Sequence, residues 1–408
     1  MEIIIPLILS GCGLVMISSL SLRNSMAGGN PYAAPLRQFQ FIGLGITLMA
    51  LCAIGLNSSI LKKNSGKLFF LSLILLLLTL IPGIGVSING ARRWLNLPGF
   101  RFQPLELVLF SLPIFMADRL TDEHSLTNRG NFQSFIRPTL TVIAMLAVPL
   151  MRQPNLGGTI IVTAICFVMH IERRGWKYPS MGVIFGAVAV VVAIMLAPYR
   201  MRRFNAFWDP WADPTNTGFQ IIQGLVAFAN GGLTGVGIGR GFQDERYLPE
   251  TDTDYIFPAI GEEFGLVGTM FLVLLYALWT WRVYYIYRDA KTPFTKVLAL
   301  GLTASVVFPM FVNVAGVTKL MPLTGIPMPF ISAGGSSMLF MWAKVGVLMS
   351  IKSENKREKP HTRKPKEAAE ITDSKRKVKE TADNAENKRD KPKPKKKQQQ
   401  QEELPNEE

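Results

Sequence analysis

Apolar residues in this chain form long runs that alternate with short polar and basic segments. Most runs span about 17 to 25 residues, the length that an α-helix needs to cross a bilayer. The recurrence of the pattern disfavours buried soluble helices, so we expect an all-α polytopic membrane protein. We predict about ten transmembrane helices, near residues 3–21, 38–57, 68–86, 104–120, 137–152, 157–172, 178–197, 257–287, 294–317 and 328–351.

Two runs need separate interpretation. The eighth, residues 257–287, is longer than a span requires, so we expect its first part to be re-entrant or interfacial. The first run lacks the basic start and small-residue cleavage site of a secretory signal. We therefore interpret it as a retained first helix.

Basic residues in the short loops predict the orientation. With the N-terminus inside, thirteen Lys and Arg residues lie in inner loops and seven in short outer loops. This asymmetry places both termini in the cytoplasm. It also places a large outer loop, about residues 198–256, between spans seven and eight.

The composition changes abruptly at Lys352. We predict a transmembrane domain over residues 1–351 and a disordered basic cytoplasmic tail over 352–408, rich in Lys, Glu, Pro and Gln. The tail is either a solvated tether or a segment that binds anionic lipid or a cytoplasmic partner. Because no aromatic residues are interleaved with its charges, we expect no nucleic-acid binding. Tail and inner loops account for the net charge of +15.

The outer loop contains two further patterns. Residues 217–229 place apolar side chains on one face and predict a short interfacial helix. The glycine-rich residues 231–241 lack the preceding strand and following helix of a phosphate-binding loop. Close backbone approach to a ligand or another helix is the better explanation for these glycines.

Three carboxylates cluster in the same loop, at Glu250, Asp252 and Asp254. The cluster lies between apolar runs, hence at a membrane edge. Carboxylates beside hydrocarbon are costly unless they have a function. The pattern indicates membrane-surface chemistry, with Asp254 as the candidate residue.

Other polar residues near the outer surface are candidates for ligand contact. Arg92 and Arg93 beside Trp94 are suited to hold a phosphate, because a guanidinium donates paired hydrogen bonds to it. Snorkelling towards lipid headgroups is the alternative. Glu106 lies just inside a span, where a carboxylate is either functional or part of a structural ion pair.

Many short motifs occur along the first 350 residues in an order that resembles the SEDS family of polytopic membrane proteins. Members polymerise peptidoglycan glycan strands during bacterial division and elongation. The motifs are Asn89 to Trp94; Phe102 to Pro104 with Glu106; Gln153, Pro154, Leu156 and Gly157; Phe207 to Pro214; Gly218 to Gln223; Gly231 to Leu233, Gly235 and Gly237; Tyr247 to Glu250; Thr253 to Phe257; Gly261 to Glu263; Asn313, Pro322, Thr324 to Pro327, Pro329 to Ser332 and Gly334 to Ser337.

The resemblance implies transfer of a growing glycan to lipid II, with undecaprenyl diphosphate as leaving group. Asp254 matches the family's essential aspartate and is assigned as general base. Glu250 and Asp252 would raise its pKa or hold a divalent cation (Mg or Mn) with it. Cations would stabilise the leaving diphosphate. The substrate-contacting residues expected on this basis are Arg92, Arg93, Trp94, Gln103, Glu106, Gln223, Glu250, Lys319 and Ser336.

The resemblance also implies partners and a location. We expect a multi-pass protein of the bacterial cytoplasmic (inner) membrane that binds lipid II, the nascent glycan strand, membrane lipids and other division or elongation proteins. The outer loops lack a Ser-x-x-Lys element, so a single-pass class B penicillin-binding protein must supply crosslinking. The Trp-Ala-Asp-Pro and Asn-Gly-Gly segments and the long tail favour the division branch, hence septal synthesis.

Several residues depart from the family pattern, and two other functions stay open. The departures are Leu109 for Lys, Asn155 for Asp, Gly224 for Ser, Arg246 for an acidic residue, Lys319 for Gly and Ala333 for an aromatic residue. Glu106, Glu262 and Glu263 would suit a transporter such as a lipid II flippase, although no repeat relates the two halves. A non-catalytic division scaffold would not need the cluster around Asp254.

Overall fold

The computed structural model describes residues 1–24, 30–88, 90–122, 132–195, 198–241 and 251–357. Helices dominate these residues. They are α1 (Ile4–Asn24), α2 (Ala33–Gly55), α3 (Ser58–Leu78), α4 (Pro104–Thr121), α5 (Phe132–Phe135), α6 (Thr141–Arg152), α7 (Leu156–Arg174), α8 (Lys177–Met195), α9 (Pro198–Trp208), α10 (Phe219–Gly231), α11 (Ile256–Arg288), α12 (Pro293–Val317) and α13 (Gly335–Arg357). A π-helical turn, Ile136–Leu140, joins α5 to α6.

Each of the ten predicted spans is helical over most of its length. Within the described residues, five helices (α1, α2, α7, α11 and α12) are long and apolar enough to cross a membrane. The predicted fold class, a helical polytopic membrane protein, is confirmed. The interfacial helix predicted at 217–229 corresponds to α10, and α9 was not predicted.

The third span differs from its predicted position. Helix α3 begins at Ser58, ten residues before the predicted 68, and ends at Leu78. Its start is capped by Asn57, whose Oδ1 accepts a hydrogen bond from Ile60 N at 2.8 Å. Hydropathy missed this first part because it contains three lysines, whose long side chains can carry their charge away from the helix.

A small antiparallel sheet follows α3 and was not predicted. It consists of β1 (Gly85–Ile88), β2 (Ala91–Leu97) and β3 (Phe100–Phe102), in the order β1-β2-β3. On β2, Ala91 and Leu95 are buried whereas Arg92 is exposed. Hydropathy wrongly extended the third span to residue 86, because the turn after the helix, residues 79–84, and the start of β1 are nearly as apolar as the helix itself.

Helix α11 is broken at Gly265, where φ is +68°. The break separates residues 256–264 from the rest of the helix, and that this first part is re-entrant or interfacial stays a prediction. The glycine-rich segment, residues 231–241, packs against the break through backbone hydrogen bonds. Val236 N donates to Glu262 O at 3.0 Å, and Leu266 N donates to Gly232 O at 2.9 Å. The prediction that these glycines permit close approach to another helix is confirmed.

Replacing Gly235 by alanine is expected to destabilise the protein more than the same change at Gly232. Both residues have positive φ, which costs a non-glycine residue about 1 kcal/mol. A Cβ at Gly235 would also lie 2.1 Å from Glu263 O, whereas no atom lies within 4 Å of one at Gly232. The clash should add about 2 kcal/mol. Thermal unfolding in detergent measures the stability of both variants. Equal losses of stability would contradict the close packing at Gly235.

Helix α12 occupies the centre of the described bundle and packs against α4, α7 and α11. The chain between α12 and α13 is not helical, although the tenth span was predicted to begin at 328. Pro327 and Pro329 prevent a regular helix there. Met328, Phe330 and Ile331 are nevertheless buried, so this apolar stretch lies inside the protein as a loop.

The last helix continues beyond the predicted membrane domain, to Arg357. Glu2 joins it to the N-terminus: Lys352 Nζ lies 2.8 Å and Arg282 Nη2 3.6 Å from its Oε1. The first compact unit ends at Asn355. Residues 358–408, most of the predicted tail, lie outside the described part of the chain, so their disorder stays a prediction.

Candidate active site

The backbone around Asp254 is held by three long-range hydrogen bonds. Asp254 lies two residues before α11, and its side chain is half-buried. The three successive carbonyls of residues 252–254 each accept a bond. Their donors are Ala333 N at 2.8 Å, Ser332 Oγ at 2.6 Å and Asn313 Nδ2 at 2.8 Å, respectively. Helix α12 and the chain after it thus fix the position from which the Asp254 side chain projects.

The Asp254 carboxylate lies against the backbone of Gly325. A Cβ at Gly325 would be 3.0 Å from Asp254 Oδ2, and φ at Gly325 is +69°. Asn313 Nδ2 also donates to Ile326 O at 2.7 Å, which ties this segment to the Asp254 loop. Glycine at 325 therefore permits both the backbone turn and the close approach of the carboxylate.

Replacing Ser332 by alanine is expected to lower the rate of the reaction at the Asp254 site about tenfold. The change removes the donor to Thr253 O and the acceptor of Met328 N, which lies 2.8 Å from Ser332 Oγ. A small displacement of a catalytic group lowers the rate, and lost hydrogen bonds cost about 1 kcal/mol each. Ser305→Ala is the control, since Ser305 Oγ bonds only within its helix, to Leu302 O. Equal activity of both variants would show that Ser332 does not position the loop.

The predicted phosphate-binding cations lie in different places. Arg92 is exposed on β2. Arg93 donates to backbone carbonyls, from Nε to Gln153 O at 3.3 Å and from Nη2 to Pro154 O at 2.6 Å. Lys319 Nζ donates to Trp208 O at 3.4 Å, at the end of α9.

A second group of predicted residues meets where α4 and α13 begin. Gln103 N donates to Ser336 Oγ at 3.2 Å. Glu106, one turn further along α4, is buried and hydrogen-bonded to Ser337. Its charge also interacts with that of Lys344 on α13. The structure brings Gln103, Glu106 and Ser336 together.

Sequence reasoning missed Lys344. It is fully buried, and its Nζ donates to Ser305 O at 3.2 Å. A lone charge inside the tenth apolar run was the available signal, because buried charges in membrane helices have partners. Lys344 supplies the cationic partner that Leu109, on α4 itself, cannot supply.

No contact described above joins the remaining predicted residues to Asp254 or to the group around Glu106. Trp94 is half-buried on β2, opposite Val86 on β1. Gln223 is half-buried on α10. Glu250 lies outside the described residues, as does the departure at Arg246.

The divalent cation stays a prediction. The described residues contain no group of three or more His, Cys, Asp or Glu side chains arranged to hold a metal ion. Asp252 and Asp254 supply two carboxylates, which is fewer than Mg²⁺ or Mn²⁺ coordination requires. Further ligands would have to come from the substrate, from water or from the rest of the loop.

Four departures from the family pattern have a structural explanation. Asn155 caps α7 by accepting from Gly158 N at 3.0 Å, a role that Asn and Asp perform equally well. Lys319 has φ +59°, the conformation that favours the usual glycine. Ala333 binds Asp252 through its backbone, so this contact does not need an aromatic side chain. Gly224 makes room for Tyr255, whose Cε1 would lie 2.8 Å from a Cβ there.

Two of the three glutamates that would suit a transporter, Glu262 and Glu263, bind the glycine-rich segment or the residue before it. Glu263 Oε1 accepts from Ser19 Oγ at 2.7 Å and from Gly239 N at 3.0 Å. Glu262 Oε1 accepts from Asn230 Nδ2 at 3.0 Å. These contacts give both carboxylates a structural role next to the break in α11.

An open cavity of about 530 Å³ lies beside the turn between β2 and β3. Its lining consists of Arg37 and residues 96–101. None of the predicted site residues lines it, so we do not assign the transfer reaction to this cavity.

Comparison with known proteins places the whole membrane region in one family. The FtsW/RodA/SpoVE cell cycle protein model matches residues 1–357. The probable peptidoglycan glycosyltransferase FtsW of Methylococcus capsulatus is 38% identical over 350 residues, 84% of this chain and 86% of that protein. Stage V sporulation protein E of Bacillus subtilis is 34% identical, over 86% of this chain and 95% of that protein.

A solved structure supports the same assignment. One chain of a peptidoglycan synthase complex, studied for the coordination of polymerization and crosslinking, superposes with a TM-score of 0.72 at 27% identity. The match covers 88% of this chain and 98% of that one. The fold, the motifs and the relatives agree, and the chain belongs to the FtsW/RodA/SpoVE family of cell cycle proteins.

Proposed function

We propose that this protein is a peptidoglycan glycosyltransferase that polymerises lipid II into glycan strands. The observation that carries the proposal is the fixed carboxylate of Asp254. Three hydrogen bonds hold its loop, and Gly325 allows the neighbouring segment to approach its Oδ2. Transfer of a sugar to a hydroxyl group needs such a positioned base. The relatives that carry the name peptidoglycan glycosyltransferase support the same reaction.

The proposed step is a displacement at an anomeric carbon. The Asp254 carboxylate accepts the proton of the acceptor's sugar 4-hydroxyl while the oxygen of that hydroxyl bonds to the anomeric carbon. The bond from this carbon to the diphosphate oxygen breaks, and its electron pair leaves with undecaprenyl diphosphate. Cationic groups would stabilise the departing charge. A Mg or Mn ion bound with Asp252 and Asp254 would add to that stabilisation.

The proposal includes a location and an orientation. A multi-pass protein of this family with basic inner loops would lie in the bacterial cytoplasmic membrane, with both termini inside. The Asp254 loop would then face outward, where lipid II presents its disaccharide-pentapeptide. Relatives named FtsW support a role in division, hence in septal synthesis.

We propose a class B penicillin-binding protein as the partner that crosslinks the product. A chain of similar fold belongs to a peptidoglycan synthase complex that couples polymerization to crosslinking. Near the end of α9, Trp208 and Trp211 are 76% and 64% exposed. Such aromatic residues suit either a membrane-embedded partner helix or lipid.

Reconstitution with lipid II tests the transferase directly. The purified protein and its penicillin-binding partner, in liposomes with labelled lipid II, should produce glycan polymer that a gel resolves. A parallel assay should measure the appearance of labelled lipid II in the opposite leaflet. Lipid II transfer without polymer would favour a flippase. Neither activity, from folded protein with its partner, would favour a scaffold.

A further inference from the structure

Arg203, on α9, lies beside the segment that contacts Asp254. Its Nη1 donates to Leu323 O at 3.2 Å. Leu323 is two residues before Gly325, which lies against the Asp254 carboxylate. Arg203 is half-buried, whereas the adjacent Arg202 is exposed. The fold therefore directs one of two neighbouring arginines towards the candidate active site.

The same segment holds the other end of α9. Lys319 Nζ donates to the carbonyl of Trp208, the last residue of α9, at 3.4 Å. Helix α9 thus donates one hydrogen bond to Leu323 O and accepts another from Lys319. These two contacts fix Arg203 in place relative to the chain between α12 and α13, unlike an arginine on a free surface.

Tyr255, the residue after Asp254, is a buried side chain on which the charges of both Asp254 and Arg203 act. Burial and the negative charge of Asp254 raise the pKa of the Tyr255 hydroxyl, and the positive charge of Arg203 opposes that rise. Both charges therefore act on one buried side chain. The Tyr255 hydroxyl has no hydrogen-bond partner among the described residues. Because buried hydroxyls normally have a partner, this group is available to a ligand or a water molecule.

The other cations near the outer surface are less suited to act at Asp254. Arg93 donates to Gln153 O and Pro154 O, and Arg92 is exposed on β2. Lys319 donates to Trp208 O. Arg203 instead donates to the segment that lies against the Asp254 carboxylate, and a guanidinium can donate two parallel hydrogen bonds to a phosphate group.

We propose that Arg203 binds the diphosphate of the lipid-linked donor at the Asp254 site. This proposal rests on the proposed transferase function. As the bond to the anomeric carbon breaks, an electron pair moves onto the diphosphate oxygen, and the guanidinium of Arg203 stabilises the added negative charge. The proton of the acceptor hydroxyl passes to Asp254.

The test compares Arg203→Gln with Arg202→Gln in the full-length protein with its penicillin-binding partner. We expect Arg203→Gln to lower the polymerisation rate about 100-fold, the loss typical of removing one group that stabilises an oxyanion. Arg202→Gln should stay within about twofold of wild type, because exposed charges contribute little. Arg203→Lys should retain intermediate activity, since lysine keeps the charge without the paired donors.

A binding assay separates a direct role from a positioning role. Displacement of fluorescent lipid II from Asp254→Asn protein measures affinity without turnover, with undecaprenyl diphosphate, undecaprenyl phosphate and inorganic diphosphate as competitors. Adding Arg203→Gln should weaken binding of undecaprenyl diphosphate about tenfold. The ratio of its affinity to that of undecaprenyl phosphate should therefore become smaller. Weaker competition by inorganic diphosphate would assign the contact to the phosphates rather than the lipid.

Three results would overturn the proposal. Arg203→Gln could polymerise lipid II as fast as Arg202→Gln. It could lose activity yet bind undecaprenyl diphosphate normally, which would make Arg203 a positioning residue for the Leu323 segment. It could also lose thermal stability in proportion to activity, with Arg203→Lys restoring neither. Failure of the wild-type protein to make polymer is a different outcome, because it contradicts the transferase function itself.

Discussion

Asp254→Asn is expected to lower the rate of lipid II polymerisation about 1,000-fold and to leave the protein folded. The amide cannot accept the proton of the attacking hydroxyl, and a positioned general base contributes 100- to 10,000-fold to such reactions. The fold should persist because the hydrogen bonds around residue 254 use backbone carbonyls, which asparagine retains. The measurement is the initial rate of polymer formation, together with the thermal unfolding temperature.

Two further variants sharpen this prediction. Asp254→Glu keeps a carboxylate but moves it by one methylene towards Gly325, so its activity should lie between those of wild type and Asp254→Asn. Asp289→Asn alters an exposed aspartate that pairs with Arg288, at the other end of α11, and should be neutral. Asp254→Asn with wild-type rates would refute the base assignment. A drop in its unfolding temperature of many degrees would mean that the carboxylate itself holds the loop.

Lys344→Met is expected to destabilise the protein by about 3 kcal/mol, because it leaves the Glu106 carboxylate buried without its cationic partner. Ser337 is hydrogen-bonded to Glu106, but Glu106 Oε2 lacks a hydrogen-bond partner among the described residues, so loss of the lysine leaves the carboxylate only partly satisfied. Glu106→Gln should destabilise by a similar amount. The measurement is unfolding in detergent micelles.

A double-mutant cycle tests whether the two charges are coupled. The combined Glu106→Gln, Lys344→Met variant should lose about 2 kcal/mol less than the sum of the single losses, because neither charge is then left alone. Leu109→Lys should restore stability to Lys344→Met, since residue 109 lies one turn from Glu106 on α4. Additive losses, or no effect of Leu109→Lys, would contradict the pairing.

The helices could be predicted from the sequence because each depends on a local run of apolar residues. The helix boundaries that were predicted wrongly depend on capping and on proline rather than on hydropathy. Helix α3 begins earlier than hydropathy indicated, because Asn57 caps its start ahead of a lysine-rich stretch. Pro327 and Pro329 delayed α13, although the residues between and after them are as apolar as a span. Hydropathy measures the tendency of a residue to leave water for an apolar environment. It cannot distinguish a loop buried inside the protein from a helix in lipid, because both environments are apolar.

The neighbours of Asp254 could not be placed from local patterns. Asn313, Ser332 and Ala333 follow it by 59 or more residues, and their bonds reach its loop through the tertiary fold. Asn313 and Ser332 were among the motifs that resembled the family, but resemblance supplied no contact. Arg203 escaped notice because the arginines of a long loop carry little weight in a topology count. Its significance comes from tertiary contacts, first of all from its bond to Leu323.

Release of undecaprenyl diphosphate in a single turnover tests the central claim most directly. Wild-type protein with its partner, in excess over labelled lipid II and quenched after mixing, should release one undecaprenyl diphosphate for each glycosidic bond formed. Asp254→Asn should bind lipid II with unchanged affinity and should release undecaprenyl diphosphate about 1,000-fold more slowly. Release by Asp254→Asn at the wild-type rate, or release by wild-type protein without bond formation, would contradict the account.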